Sequence, residues 1–144
     1  MTRRVHLLCG PPGAGKTTRA AELAAEHGLQ VFDRDDPQWT GERAFVLALA
    51  ALAGDDSARA VVIRSGATAE RRLQAADLCA ATEVEVLVPP PDVCRDRVRA
   101  RRRHDWQRSL AGVGKWFDEY SEDGHVGPVP LDPAIYGIAP SREW

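Results

Sequence analysis

Short apolar runs alternate with longer segments of helical periodicity along most of the chain. The runs occupy Arg4–Cys9 and residues 29–32, 60–63 and 83–88. The run at residues 60–63 is continuous rather than alternating, which is typical of a parallel strand buried on both faces. The pattern therefore predicts four main strands in a parallel sheet.

Helical segments lie between the predicted strands. They cover Lys16–His27, Glu42–Ala53 and residues 68–81, 92–104 and 115–120, with residues 105–114 as a mobile turn or a short helix. Gly28 is placed to end the first helix, and Thr68 to cap the third. Alternation of strands and helices predicts a three-layer α/β fold, with a four- to five-stranded parallel sheet and helices on both faces.

The chain of 144 residues is predicted to form a single domain, residues 1–144. From residue 121 onward the sequence is rich in Gly and Pro, which indicates a C-terminal tail, residues 121–144. This tail is expected either to pack on the domain through Ile135, Tyr136 and Ile138 or to be partly disordered.

Composition excludes several classes of protein. The 44% hydrophobic content argues against a disordered chain, and the net charge of -2 does not predict nucleic-acid binding by charge alone. The longest apolar run, residues 44–53, is too short for a membrane span, and no removable signal peptide is expected. Cys9, Cys79 and Cys94 lack metal-ligand spacing and are expected to be reduced, as in a cytoplasmic protein.

A complete phosphate-binding motif joins the first strand to the first helix. Its pattern, G-x-x-x-x-G-K-[ST], is filled by Gly10, Pro11, Pro12, Gly13, Ala14, Gly15, Lys16 and Thr17, and Thr18 follows it. Glycines let backbone N–H groups turn toward a phosphate, the lysine reaches the β- and γ-phosphates, and the threonine hydroxyl binds Mg²⁺. The segment is predicted to bind a nucleoside triphosphate, ATP or GTP, with Mg²⁺ at Thr17.

An acidic segment follows the second strand and contains Asp33, Asp35 and Asp36. Ligands of open α/β sheets sit beyond the carboxyl ends of the strands, so these carboxylates should face the same crevice as the phosphate loop. A kinase needs a carboxylate to orient or deprotonate the accepting hydroxyl. The alternative is a solvated acidic turn.

Arginines are concentrated at residues 95–108. Within this stretch Arg99, Arg102 and Arg103 are predicted to share one helical face, and guanidinium groups suit phosphate oxygens. Because a flexible stretch follows, this basic helix is interpreted as a lid that closes over the nucleotide. The alternative is a solvated helix whose arginines pair with neighbouring aspartates.

Several motifs together resemble a known family. The phosphate loop is followed by Arg34-Asp35-Asp36, then by Val61-Val62-Ile63 and by Glu70-Arg71-Arg72-Leu73. This order is similar to that of small P-loop kinases of the phage-type polynucleotide 5′-kinase group, over roughly residues 4–120.

The resemblance implies a role for each matching residue. Asp35 corresponds to the general base, while Lys16 and the lid arginines Arg102 and Arg103 stabilise the transferred phosphoryl group. Arg99 is expected to help bind the nucleotide. Acceptor contacts are expected from Asp33, Arg34, Asp36, Trp39 and Arg43.

The chain departs from the family pattern at two places. The arginine that follows the two aspartates is either replaced by Gln38 or shifted along the chain, with Arg43 the nearest candidate downstream. The third strand ends in Arg64-Ser65-Gly66 instead of an aspartate, so the usual Walker B metal ligand is absent. Asp33 or Asp35 is then the expected carboxylate near the metal, through water.

Aromatic residues leave alternatives open. Trp39 follows the acidic segment and either stacks on a base of the acceptor or packs beneath the second helix. Trp116, Phe117 and Tyr120 are interpreted as core or tail-packing residues.

The leading hypothesis is an ATP-dependent kinase acting on a nucleic-acid 5′-hydroxyl, a nucleoside or a nucleotide. Two other hypotheses remain at this stage: a kinase of small metabolites, and a nucleotide-binding regulatory module without phosphoryl transfer.

Overall fold

A computed structural model describes residues 2–121 and 128–129 of the chain. Strands and helices alternate through most of this part. In chain order the elements are β1 (Arg4–Cys9), α1 (Lys16–His27), β2 (Gln30–Asp33), α2 (Glu42–Ala53), β3 (Arg59–Arg64), α3 (Ala69–Cys79), β4 (Glu83–Val86), α4 (Pro91–Arg101), α5 (Trp106–Glu119) and β5 (Pro128–Val129).

The strands form one sheet in the order β2-β3-β1-β4-β5. The first four are parallel, and the central strand β1 places Leu7 opposite both Val62 of β3 and Val84 of β4. This confirms the predicted α/β fold. The fifth strand pairs antiparallel with β4, unlike the parallel strand allowed for in the prediction. The chain between β4 and β5 contains α4 and α5 and returns to the open edge of β4, where an antiparallel strand can pair as well as a parallel one.

Hydrophobic clusters cover both faces of the sheet, as predicted. Successive residues of β1 point to opposite faces. Leu7 therefore joins the cluster beneath α2, which includes Phe45, whereas Leu8 packs with Leu23 of α1. Trp116 of α5 is 3% exposed and belongs to the first cluster, where its ring stacks on Tyr120, so the predicted packing role of these aromatic residues is confirmed.

Several predicted boundaries agree closely with the structure. Helix α1 ends before Gly28, whose φ of 66° is the left-handed conformation that glycine adopts readily. The Thr68 side chain accepts a 3.1 Å hydrogen bond from the backbone N–H of Arg71 and caps α3. No helix in the described part of the chain is both long and apolar enough to cross a membrane.

The end of the predicted lid differs from the prediction. Residues 105–114 were expected to be a turn or a short helix, but α5 is continuous from Trp106 to Glu119. Its buried residues Val113 and Trp116 are three apart, so one apolar face runs through the segment. Gly112 and Gly114 lower helix propensity there, but the packing of this face outweighs that cost.

The predicted tail lies largely outside the described residues. Within it, Ser121 is held by α3 and the loop before it: its backbone N–H donates to the carbonyl of Ala67, and its hydroxyl accepts from the N–H of Ala69. The predicted contacts of Ile135, Tyr136 and Ile138 fall beyond the described part.

Candidate functional site

The loop between β1 and α1 has the backbone conformation that its glycines predict. Gly13 and Gly15 have φ values of 76° and 94°, in the left-handed region that disfavours residues with a side chain. Gly15 immediately precedes α1, whose first turn has no side-chain cap and no acidic residue. The N–H groups of this turn therefore remain available to an anion, and the helix dipole favours negative charge there.

Lys16 is the cation at the centre of the loop. Its Nζ donates a 2.6 Å hydrogen bond to the carbonyl of Gly10. Burial lowers the pKa of Lys16 below its ordinary 10.5, and the negative charges of Asp33 and Asp35 partly oppose that effect. A phosphate beside Nζ would favour the charged lysine further.

A cavity of about 190 Å³ lies against the loop. It is lined by residues from the loop, the end of β2, β3 and both α4 and α5: Pro12, Gly13, Ala14, Gly15, Lys16, Thr17, Asp33, Asp35, Ile63, Val98, Arg101, Arg103, Trp106 and Ser109. The structure thus brings the loop, two of the predicted carboxylates and two arginines together.

A second cavity of about 340 Å³ also lies against the acidic segment. Its lining residues are Lys16, Asp33, Arg34, Asp35, Glu42, Ile63, Arg64 and Ser65. Both cavities include Lys16, Asp33 and Asp35. These three residues therefore lie where a nucleotide in the first cavity and an acceptor in the second would meet.

The acidic segment folds into a turn stabilised by its own side chains. Asp33 Oδ1 accepts a 3.0 Å hydrogen bond from the backbone N–H of Asp35, and Asp36 Oδ1 accepts one of the same length from the N–H of Gln38. Asp36 is exposed and lines neither cavity. Of the three predicted aspartates, the structure therefore places two beside Lys16.

Helices α4 and α5 pack directly onto the phosphate loop. A side chain at Gly13 would collide with the backbone carbonyl of Cys94, and Gly112 of α5 faces the ring of Pro12. The Arg97 guanidinium donates a 3.2 Å hydrogen bond to the carbonyl of Gly13. The basic segment is therefore next to the loop, as expected.

The predicted arginine face needs correction. Helix α4 ends at Arg101, and Arg102 has a φ of 50°, so Arg99, Arg102 and Arg103 do not share a helical face. Arg99 lies 3.3 Å from a carboxylate oxygen of Asp96, and the Arg102 guanidinium lies over the Trp106 ring. The arginines that line the cavity are Arg101 and Arg103.

Other predicted binding residues occupy different environments. Trp39 packs between Phe32 and Phe45, with ring centroids 6.2 and 5.3 Å away, so the packing alternative is the one observed. Arg34 lines the larger cavity. Thr18 and Arg43 are exposed and line neither cavity.

Two charged residues of the larger cavity, Glu42 and Arg64, were missed from the sequence. Glu42 Oε2 lies 2.8 Å from Arg64 Nη2, and Glu42 Oε1 lies 3.3 Å from Arg34 Nε. The hydrogen bond from Arg64 lowers the pKa of Glu42 below its ordinary value. Arg64 ends the strand next to β1, so the rule that placed Asp33 in the crevice would also have placed Arg64 there.

The oxygen donors near the loop are suited to Mg²⁺. Thr17, Asp33 and Asp35 line the same cavity. No group of three or more metal-binding side chains is found among residues 2–121 and 128–129. Mg²⁺ in kinases commonly needs only one or two protein ligands, since phosphates and waters complete its shell, so this donor set fits the ion.

The cysteines are free and buried, as predicted. Burial raises the pKa of Cys9 and of Cys79 to about 12, and it also raises that of Cys94. These thiols are therefore protonated and unreactive near neutral pH.

Comparisons with known proteins identify a family and several similar folds. The sequence profile described as "AAA domain" matches residues 5–116. No curated protein sequence matches the chain. One similar structure is the YorR protein of Bacillus subtilis in complex with phosphorylated GDP, with 18% identity, a TM-score of 0.50 and coverage of 81% of each chain.

Two further solved structures have similar folds. A sugar kinase from Janibacter sp. has 21% identity and a TM-score of 0.51, over 96% of this chain and 88% of the other. An uncharacterized protein from Eubacterium ventriosum has 14% identity and a TM-score of 0.57, over 93% of this chain and 84% of the other. At these identities the likeness concerns the fold.

Proposed function

The chain belongs to the AAA domain family, and from this premise we propose that it is a single-domain, ATP-dependent phosphotransferase that moves a γ-phosphoryl group to a hydroxyl. The observation that carries the proposal is the position of Lys16 and Asp35, which line both cavities. A phosphate donor and a hydroxyl acceptor in adjoining cavities would place the two reacting groups beside this lysine and this carboxylate.

The proposed nucleotide site is the smaller cavity. Backbone N–H groups of the loop and of the first turn of α1 hold the phosphates, and Lys16 exchanges its hydrogen bond with Gly10 for one with a phosphate oxygen. Arg101 and Arg103 approach the same space from the end of α4 and the segment after it. Their guanidinium groups would stabilise the charge that spreads over the transferred group.

Asp35 is the proposed general base. Its carboxylate accepts the proton of the acceptor hydroxyl as the oxygen attacks the γ-phosphorus and the bond to the β,γ-bridging oxygen breaks. Asp33 accepts a hydrogen bond from the backbone N–H of Asp35 and so positions it. Mg²⁺ would be held by Thr17, with Asp33 or Asp35 nearby, and would neutralise phosphate charge when bound.

The proposed acceptor is a nucleic-acid 5′-hydroxyl, a nucleoside or a nucleotide. Support comes from the Arg34-Asp35-Asp36 motif, whose arginine and first aspartate both line the larger cavity. The phosphorylated GDP bound by the YorR protein shows that a similar fold accommodates a nucleotide.

A kinase of small metabolites is the second candidate. The larger cavity, about 340 Å³, is near the lower end of the range for small-molecule sites, which favours a compact acceptor. A nucleotide-binding module without transfer is the third, and it is favoured by Arg64 at a strand end where an acidic metal ligand is usual.

Phosphate transfer to defined acceptors tests these candidates. The protein is incubated with Mg²⁺, γ-labelled ATP and, separately, a 5′-hydroxyl oligonucleotide, nucleosides, nucleoside monophosphates and simple sugars. Label on any of the first three supports the nucleic-acid or nucleotide acceptor. Label only on sugars would support the metabolite kinase, whereas nucleotide binding without any transfer would favour the non-catalytic module.

A further inference from the structure

Two arginines from different elements contact one carboxylate in the lining of the larger cavity. Arg64 ends β3 and Arg34 follows β2, and both lie within salt-bridge distance of Glu42 in the first turn of α2. The contact between Arg34 Nε and Glu42 Oε1, at 3.3 Å, is a hydrogen bond as well as an ion pair. The cavity that contains this cluster also contains Asp35.

The two sides of the Arg64–Glu42 pair are held very differently. The Arg64 side chain is 12% exposed, and its guanidinium lies 5.4 Å from the centre of the buried Phe45 ring. The Glu42 side chain is 57% exposed. Arg64 is therefore fixed by the core, whereas the Glu42 side chain is exposed enough to turn toward solvent when another anion takes its place beside Arg64.

The charges of the cavity suggest what could replace Glu42. Its lining has three cationic residues, Lys16, Arg34 and Arg64, and three acidic ones, Asp33, Asp35 and Glu42. Lys16 and the two aspartates belong to the proposed reacting centre. Within this lining, Glu42 is the carboxylate beside the other two arginines, so an anion with more charge or better geometry would compete with it for them.

We propose that Arg64 and Arg34 form a subsite for an anionic group of the acceptor, a phosphate or a carboxylate, and that Glu42 occupies this subsite until the acceptor displaces it. This inference rests on the proposed phosphotransferase function and concerns the same site.

The subsite would select among acceptors by charge. An acceptor with a hydroxyl near Asp35 and an anionic group on Arg64 gains charge-assisted hydrogen bonds that its neutral analogue lacks. A hydrogen bond to a charged group corresponds to a preference of about 10- to 100-fold. Phosphate carries more negative charge than carboxylate at neutral pH, so it should displace Glu42 more effectively.

The experiment compares matched acceptors that differ in charge. One pair is a nucleoside and its 3′-monophosphate, and the other is a simple sugar and the corresponding sugar acid. For each, kcat/KM is measured with the unmodified protein and with Glu42→Gln and Arg64→Gln. Glu70→Gln, also in the first turn of a helix, and Arg71→Gln are the matched controls, since Glu70 and Arg71 are exposed and line neither cavity.

The expected result has opposite signs for the two variants. Glu42→Gln lowers KM for the anionic acceptor by about 2- to 5-fold, because a surface competitor of this strength is removed. Arg64→Gln raises KM for the same acceptor by about 10- to 100-fold and leaves the neutral analogue within about 2-fold. The phosphate and carboxylate pairs together show which anion the subsite prefers.

Two results would overturn the inference while leaving the phosphotransferase intact. One is equal kcat/KM for charged and neutral acceptors in the unmodified protein. The other is an Arg64→Gln variant that keeps the preference for charge. Absence of transfer to every acceptor would instead count against the proposed function.

A binding measurement keeps the subsite testable in that case. With a non-hydrolysable ATP analogue filling the loop, the nucleoside 3′-monophosphate is titrated by calorimetry. The subsite is supported if Glu42→Gln binds the 3′-monophosphate more tightly than the unmodified protein does and Arg64→Gln binds it more weakly. It is refuted if both variants bind it as the unmodified protein does. Thermal melts of each variant show whether the fold is retained.

Discussion

The backbone carbonyl of Cys94 lies against the α-carbon of Gly13, where any side chain would collide with it. This contact attaches α4 to the phosphate loop at a glycine whose φ is 76°. The loop and the arginine-bearing helix are therefore packed as one unit. Their fit depends on the absence of a single methyl group.

Replacement of Gly13 by alanine should disturb both stability and nucleotide binding. The left-handed conformation costs a residue with a side chain about 1–2 kcal/mol, and the collision with Cys94 should add about 1–3 kcal/mol. Chemical unfolding measures the loss of stability, and nucleotide titration measures the loss of affinity.

Gly28→Ala is the matched control for this variant. Gly28 has a similar φ of 66°, but an added methyl group would have no neighbour within 4 Å. It should therefore lose only the conformational part of the stability and bind nucleotide normally. Equal losses in the two variants would show that the contact between α4 and the loop is unimportant.

The arginines near the loop should differ in their effect on transfer. We expect Arg103→Gln, and similarly Arg101→Gln, to lower kcat by about 100-fold, because each removes a donor from the space around the transferred group. Arg99→Gln should change kcat far less, since Arg99 pairs with Asp96 outside the cavity. Steady-state kinetics of the three variants measures this order, and a larger loss for Arg99→Gln would reverse the structural assignment.

Nucleotide affinity should depend on pH through Lys16. Burial lowers the pKa of Lys16 in the ligand-free protein, so the lysine loses its proton as pH rises toward 10.5, before an exposed lysine would. Bound phosphate favours the charged form, and binding should therefore take up a proton in this range while affinity falls. Calorimetry in buffers of different ionisation enthalpy detects the uptake, and Lys16→Met should abolish it.

The effect of Lys16 on the free energy of unfolding runs in the opposite direction: stability should rise with pH, whereas nucleotide affinity should fall. With its pKa lowered on folding, the unfolded chain binds more protons between the lowered value and 10.5. The destabilising contribution of the charged lysine is therefore relieved as pH rises through this window. The free energies of unfolding of the unmodified protein and of Lys16→Met should therefore become more similar as pH rises over that range. A difference that grows with pH would contradict the predicted direction.

The cysteines should resist modification in the native protein. Cys9, Cys79 and Cys94 are buried, and burial raises the pKa of all three thiols. We expect a thiol reagent at mildly alkaline pH to label none of them rapidly in the folded state and all three after denaturation. Rapid labelling of Cys94 alone would indicate that α4 separates readily from the loop.

Most of the fold could be predicted because local signals and tertiary packing agree. Gly28 ends α1, Thr68 caps α3, and the apolar run around Val62 forms a central strand. The phosphate loop was found for the same reason, since its glycines have the backbone conformations that the motif requires.

Other features depended on contacts between distant segments. The arginine face was wrong because α4 ends at Arg101, and no glycine or proline in the sequence signals that end. The prediction divided helix α5 after residue 114, whereas contacts with distant segments, such as that of Gly112 with Pro12, accompany one continuous helix. The Arg64–Glu42 pair joins residues that are 22 positions apart, so the strand-end rule could place Arg64 at the sheet edge but could not predict its contact with Glu42 of α2.

The central claim is that Asp35 acts as the base in phosphoryl transfer, and Asp35→Asn tests it most directly. Single-turnover transfer from γ-labelled ATP is measured beside nucleotide affinity, with Asp56→Asn, an exposed aspartate that lines neither cavity, as the control. We predict a loss in transfer rate of about 100- to 10,000-fold with nucleotide affinity nearly unchanged. Transfer by Asp35→Asn at the rate of the unmodified protein would contradict the account.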